Sequence, residues 1–168
     1  DEEVPKALRQ EIQEVMKSFD PAGSPVGYTL KRENHYLGHP WPHKDGMMRF
    51  FYASALKGWR GSLHETAIVD GPTSTFRHSL IHRTHRTLEE MVEKTNAWSD
   101  VEAELRLAAG HPPIVWWRLI RVMLTGFWNS FFGEGGWKAG TAGWVEGMYQ
   151  AFSMFITYAK LWEKQQKS

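Results

Sequence analysis

The run Trp59-Arg-Gly-Ser-Leu-His64-Glu65 sets a histidine beside a carboxylate. On a strand, neighbouring side chains point to opposite faces, so His64 and Glu65 cannot serve one site unless the strand ends or bulges there. Glu65 is the stronger candidate. A carboxylate at a strand end in a cleft can accept the proton of an attacking hydroxyl once desolvation lifts its pKa. The plain alternative is a solvated surface pair.

Histidines supply a second candidate set. His78, His82 and His85 have a spacing that resembles zinc ligands on a helix, but their segment lies between a strand pattern and the next helix, where that spacing does not converge. One histidine completing a magnesium or manganese site built mainly of carboxylates and phosphates fits better. Lys31, Arg32 and Arg49 sit within strand-like runs; from there they can hold a diphosphate or simply solubilise the sheet. The absence of cysteine removes disulfides, thiolate metal sites and cysteine nucleophiles from consideration.

These residues must be positioned by a chain of 168 residues, long enough for one compact core and a tail. Leu8, Ile12, Val15, Met16 and Phe19 recur at helical spacing between Pro5 and Asp20-Pro21. From Val26 to Val69 the texture is that of short strands, at Val26 to Arg32, Met47 to Tyr52 and Leu63 to Val69, with another predicted from Thr75 to Ile81. Residues 38–46, rich in proline and glycine, read as a loop. After Thr87 a helical stripe runs to Ala108, as two helices or one broken at Ser99-Asp100. The fold class expected is mixed α/β.

The tail is more unusual. Ile114 to Phe132 is apolar apart from Arg118, Arg121, Thr125 and Asn129, and Trp144 to Trp162 apart from Glu146, Gln150, Ser153, Thr157 and Lys160. Each set forms one narrow stripe on a helix otherwise apolar around its circumference. Two mid-segment arginines weigh against a membrane span, whereas a helix lying in the interface places arginines at phosphates and tryptophans at headgroup level. Pairing of the two helices with each other and with other protein is the alternative. A formal net charge of +1 with dispersed basic residues argues against nucleic acid as a partner. The N-terminus, Asp1-Glu2-Glu3-Val4-Pro5, lacks the features of a secretory leader and reads as the interior of a longer protein.

Taken in order, these stretches resemble the second half of family 2 glycosyltransferases, in particular the branch of lipopolysaccharide core β-1,4-glucosyltransferases. The likeness rests on Asp1-Glu-Glu-Val-Pro, on Gly27-Tyr-Thr-Leu-Lys-Arg32 with Tyr36-Leu-Gly38, on Arg49-Phe-Phe with Trp59 to Glu65, on His78 to His82, and on Tyr158-Ala-Lys-Leu-Trp-Glu163. It implies the C-terminal half of a GT-A fold over residues 1–86, a helical connector over 87–112 and a membrane-associating tail over 113–168. It further implies an inverting transfer of a hexose from a nucleotide diphosphate sugar to a lipopolysaccharide-core or lipid-linked acceptor, at the cytoplasmic face of the inner membrane. Asp1 and His82 would then contact a divalent metal, Mg2+ or Mn2+. Glu65 would be the base, His64 would orient it or bind acceptor, and Arg32 and Arg49 would face the donor diphosphate. A fragment cut at Asp1 would be inactive alone. A non-catalytic membrane-surface module with histidine-rich binding loops is the competing expectation.

Overall fold

The structure, a computed structural model, describes residues 2–20, 23–61 and 65–167. It is a mixed α/β fold, as the patterning predicts. The chain divides into two units, residues 1–34 with 43–83 and residues 35–42 with 84–168.

The first unit holds β1 (Glu2–Glu3), α1 (Lys6–Lys17), the bodies of β2 (Gly27–Tyr36) and β3 (His39–Phe51), then β4 (Leu56–Arg60), β5 (Thr66–Val69), β6 (Thr73–Thr75) and β7 (Leu80–Arg83). One sheet has the order β1-β7-β2-β3, with β6 parallel to the start of β2; β4 and β5 form a separate antiparallel pair. Alternate residues of β2 share a face. Its row begins with Tyr28 and Leu30, which join Leu80, Phe76 and Leu8 in a core that Ile12 and Val15 of α1 extend. The same row continues with Arg32 and Asn34, so this face turns from apolar to polar partway along the strand.

Two expectations are corrected here. Residues 39–46 are not a loop but part of β3. Leu37 and Gly38 both have positive φ, 49° and 80°, which is the two-residue hairpin turn whose twist matches the flanking strands. β3 is an edge strand, the place in a sheet where proline is tolerated. The strand expected from Thr75 to Ile81 is broken into β6 and β7. Glu11 explains the break: its carboxylate accepts the backbone N–H groups of Arg77 at 2.9 Å and His78 at 3.0 Å, taking two donors from any ladder.

The second unit contains the tip of the β2–β3 hairpin with α2 (Leu88–Ala108), α3 (Trp116–Trp128) and α4 (Thr141–Lys167). Thr87 caps α2, its Oγ1 accepting the Glu90 N–H at 3.1 Å. The helix is continuous; Ser99 donates its hydroxyl to Asn96 O rather than capping a second segment. The last turn of α3 widens into a π-helix at Asn129–Gly133, and a 3-10 turn at Gly136–Ala139 leads into α4. Ala103, Ile114, Val122, Tyr158 and Leu161 form the core of this unit.

The polar stripe of α4 turns inward. Glu146 and Thr157 are buried, and Lys160 Nζ reaches Asp100 Oδ2 at 2.8 Å and Asn96 Oδ1 at 3.0 Å on α2. Trp144, Met148, Phe152 and Trp162 are left outside. Among the described residues, no helix is long and apolar enough to cross a membrane.

Candidate functional site

The polar half of the sheet face is a connected row. Arg32 forms a two-pronged pair with Asp45, its Nε lying 3.2 and 3.1 Å from the two carboxylate oxygens. Asn34 is 5% exposed and donates its amide N–H to Asp45 Oδ1 at 2.9 Å. The amide oxygen of Asn34 then faces His82 Nδ1 at 2.8 Å. Burial alone would raise the Asp45 pKa, but the hydrogen bonds from Arg32 and Asn34 and the Arg32 charge outweigh it and hold the carboxyl below its ordinary value. An ionised Asp45 can only accept, so Asn34 must present its N–H to Asp45 and its oxygen to the ring. His82 consequently donates from Nδ1 to the Asn34 amide oxygen. Glu2 is the register partner of His82 across the β1–β7 pair, which sets both side chains on one face.

Arg32 and His82, expected in separate roles, are thus brought together through Asn34 and Asp45. Neither of those linking residues stands out in the sequence. The guanidinium of Arg32 is paired with Asp45. Arg49 is exposed on β3, its Nε donating to Met47 Sδ at 2.9 Å.

Glu65 is exposed in the connection between β4 and β5, immediately before Thr66, which pairs with Arg60. Since β5 begins at Thr66 rather than at Leu63, Glu65 lies outside the strand. Trp59, half exposed on β4, meets the Phe51 ring edge-on at 5.9 Å. Asp1 and His64 lie outside the described residues.

The histidine triplet does not converge. His78 Nδ1 lies 2.7 Å from Glu11 Oε2, His82 bonds Asn34, and His85 Nδ1 lies 3.3 Å from Glu146 Oε2. Desolvation opposes ionisation of Glu11, yet the N–H groups of Arg77 and His78 and the His78 ring prevail, bringing its pKa down to about 2. Among the described residues no group of three or more histidine and carboxylate side chains is arranged to hold a metal ion. Glu2 and His82 supply two donors in one register row, which by themselves do not fit a divalent cation.

In the second unit, Glu146 is 1% exposed and is held by Gln150 Nε2 at 2.7 Å as well as by His85. The His85 ring stacks on Tyr36 at 4.9 Å and meets Tyr149 edge-on at 5.8 Å. Tyr149 in turn bonds Thr95 and the carbonyl of Met91. This buried network ties α4 to α2 and reads as architecture rather than chemistry.

The chain is similar to the lipopolysaccharide core biosynthesis glycosyltransferase LpsC of Rhizobium meliloti (strain 1021), with 26% identity over 171 aligned positions. The alignment takes in 98% of this chain and 62% of that protein, so the chain spans less than two thirds of the relative's length. No family model matches the chain, and no solved structure matches it.

Proposed function

We propose that this chain is the acceptor-side portion of a glycosyltransferase that moves a hexose from a nucleotide diphosphate sugar to a lipopolysaccharide-core or lipid-linked glycan, with inversion at the anomeric carbon. The observation that carries the reading is the end-to-end likeness to a lipopolysaccharide core glycosyltransferase, which includes both the sheet and the helical tail.

In this reading the acceptor oxygen bonds to the anomeric carbon as the bond from that carbon to the donor diphosphate breaks. Glu65 takes the acceptor proton, and the diphosphate leaves with its bonding electrons. Glu65 is exposed in the protein alone, so the water exclusion a base needs comes from donor and acceptor closing over it. Arg49, exposed and without a carboxylate partner among the described residues, suits the leaving diphosphate better than Arg32 does.

The test is a transfer assay on the full-length protein with truncated lipopolysaccharide and a panel of radiolabelled nucleotide diphosphate hexoses. Incorporation of label from one donor, with release of the nucleoside diphosphate in equal amount, is the expected result. A full-length protein that binds acceptor but incorporates no sugar from any donor is a non-catalytic module instead.

A further inference from the structure

Helix α3 is apolar on two opposite sides. Leu119, Val122 and Gly126 face α4 and the core of the helical unit, as the inner side of any amphipathic helix does. The outer side repeats the same chemistry. Trp116 (73% exposed), Ile120, Leu124 (65%) and Trp128 (62%) follow one another at intervals of four. Beyond the helix the Trp128 ring lies 4.5 Å from exposed Phe132, and buried Phe131 packs beneath, 5.0 Å from Phe132 and 4.5 Å from Trp144 of α4. Trp137 in the 3-10 turn and Met148 on α4 are exposed as well. An exposed apolar row of this kind marks an interaction site rather than a face made for water.

Charge identifies the occupant. Residues 112–145 contain three basic side chains, Arg118, Arg121 and Lys138, and one acidic one, Glu134, whose carboxylate accepts the Trp41 indole N–H at 2.8 Å. None of the three cations is paired with a carboxylate among the described residues. Arg118 and Arg121 lie 5.4 and 5.8 Å from the centre of the Trp117 ring, and Lys138 Nζ lies 5.3 Å from that of Trp137. Arg118 Nε is buried without a hydrogen-bond partner. Arg121, Thr125 and Asn129 run as a polar flank beside the apolar row. Cations beside indole rings, bordering an aliphatic row, match a bilayer surface, where phosphates lie just above the acyl chains. A second copy docked on this face would oppose the unneutralised basic flank with its own.

We infer that α3 and the turn following it seat this protein in the plane of an anionic bilayer. Trp116, Ile120, Leu124 and Trp128 enter the acyl boundary, and Arg118, Arg121 and Lys138 engage lipid phosphates. At 13 residues, α3 is about 20 Å long, which suits lying in one leaflet and is too short to span. The inward polar stripe of α4 agrees, because it leaves Trp144 and Met148 on the outside. The inference rests on the transferase reading for its purpose, bringing the enzyme to a lipid-anchored acceptor, but its measurement does not depend on it.

The experiment is flotation of the full-length protein through a sucrose gradient with vesicles of mixed phosphatidylcholine and phosphatidylglycerol, and with phosphatidylcholine alone. The protein should float with the anionic vesicles and much less with the neutral ones. Leu124→Asp should lower the floated fraction about tenfold, and Arg121→Gln should remove most of the preference for phosphatidylglycerol. Both side chains are exposed, so the thermal midpoint should hold; Trp128→Ser is the second reporter if Leu124→Asp unfolds. A protein that stays at the bottom with both vesicles, or variants that float as well as the parent, overturn the inference. A lipid-free dimer that Leu124→Asp dissociates also overturns it. Flotation without sugar transfer removes the transferase reading and leaves this one standing. Transfer to a detergent-dispersed acceptor without flotation removes this one alone.

Discussion

Asn34 Oδ1 lies 2.8 Å from His82 Nδ1, and the ionised carboxylate of Asp45 on its other side fixes which way the amide is turned. A buried asparagine between an acceptor and an imidazole thereby sets the tautomer of a histidine on the neighbouring strand. Arg32 anchors the chain from the far end.

Asn34→Leu keeps the volume and removes that relay. Asp45 loses one donor and the His82 ring loses its acceptor, a change costing about 1–3 kcal/mol when the groups left behind are largely buried. Urea unfolding measures the cost, and nitrogen-15 spectra of the histidine rings report the tautomer. The unsubstituted protein should show His82 protonated on Nδ1, and Asn34→Leu should abolish the preference. A wild-type ring protonated on Nε2 alone would remove the orienting role of Asp45.

Glu11 makes acid stability predictable. Its folded pKa of about 2 lies below the ordinary 4.5, so it is a group with a depressed folded value. Its contribution is fully present above about pH 4.5 and is lost as pH falls toward 2. The size is about 3 kcal/mol, from a shift of roughly two and a half units. Glu11→Gln should lose that much at neutral pH and show a flatter decline over the same acid range. Equal slopes for parent and variant, measured by urea midpoints across the range, would show that Glu11 does not anchor the break between β6 and β7.

Much of the secondary structure is legible in the sequence, because α1, α2, α3 and α4 each carry long periodic patterns. The failures have local physical causes. Pro40 and Pro42 signal a loop, and it is the edge position of β3 that accommodates them in a strand. Thr75 to Ile81 alternates like a strand, yet a carboxylate distant in sequence, Glu11, captures the N–H groups it would have used. The candidate site was legible only in part. Arg32 and His82 are visible as residue types, whereas Asn34 and Asp45 acquire meaning only when the pairing of β2 with β3 brings them into hydrogen-bonding contact. The direction in which the polar stripe of α4 points could not be read either, since periodicity defines a stripe and not which way it turns.

Gly126 is where α3 and α4 approach closely. A Cβ there would sit 2.9 Å from Gln150 O and 2.9 Å from Met154 Cγ; the side chain can yield, but the backbone carbonyl cannot without moving α4. Alanine gains about 1 kcal/mol of helix propensity over glycine, against about 1–3 kcal/mol for overpacking a close contact. Gly126→Ala should therefore be net destabilising, with a lower thermal midpoint by circular dichroism. A raised midpoint would mean that the helix pair has slack at this point.

Glu65→Gln in the full-length protein isolates the proposed base. The amide keeps the size of the side chain and its hydrogen-bonding reach, but it cannot take the acceptor proton, so transfer should fall by about 10²–10⁴-fold in kcat. Because Glu65 is exposed and outside the ladder of β5, stability should not change. Donor affinity, measured by equilibrium binding of the nucleotide sugar, should also hold, since the loss falls on the transition state rather than on the ground state. Glu65→Asp should recover part of the rate, because the carboxylate is retained but withdrawn by one methylene. An unaffected kcat in Glu65→Gln takes the base role away from Glu65. A fall in donor affinity matching the fall in rate would instead make it a donor-binding residue.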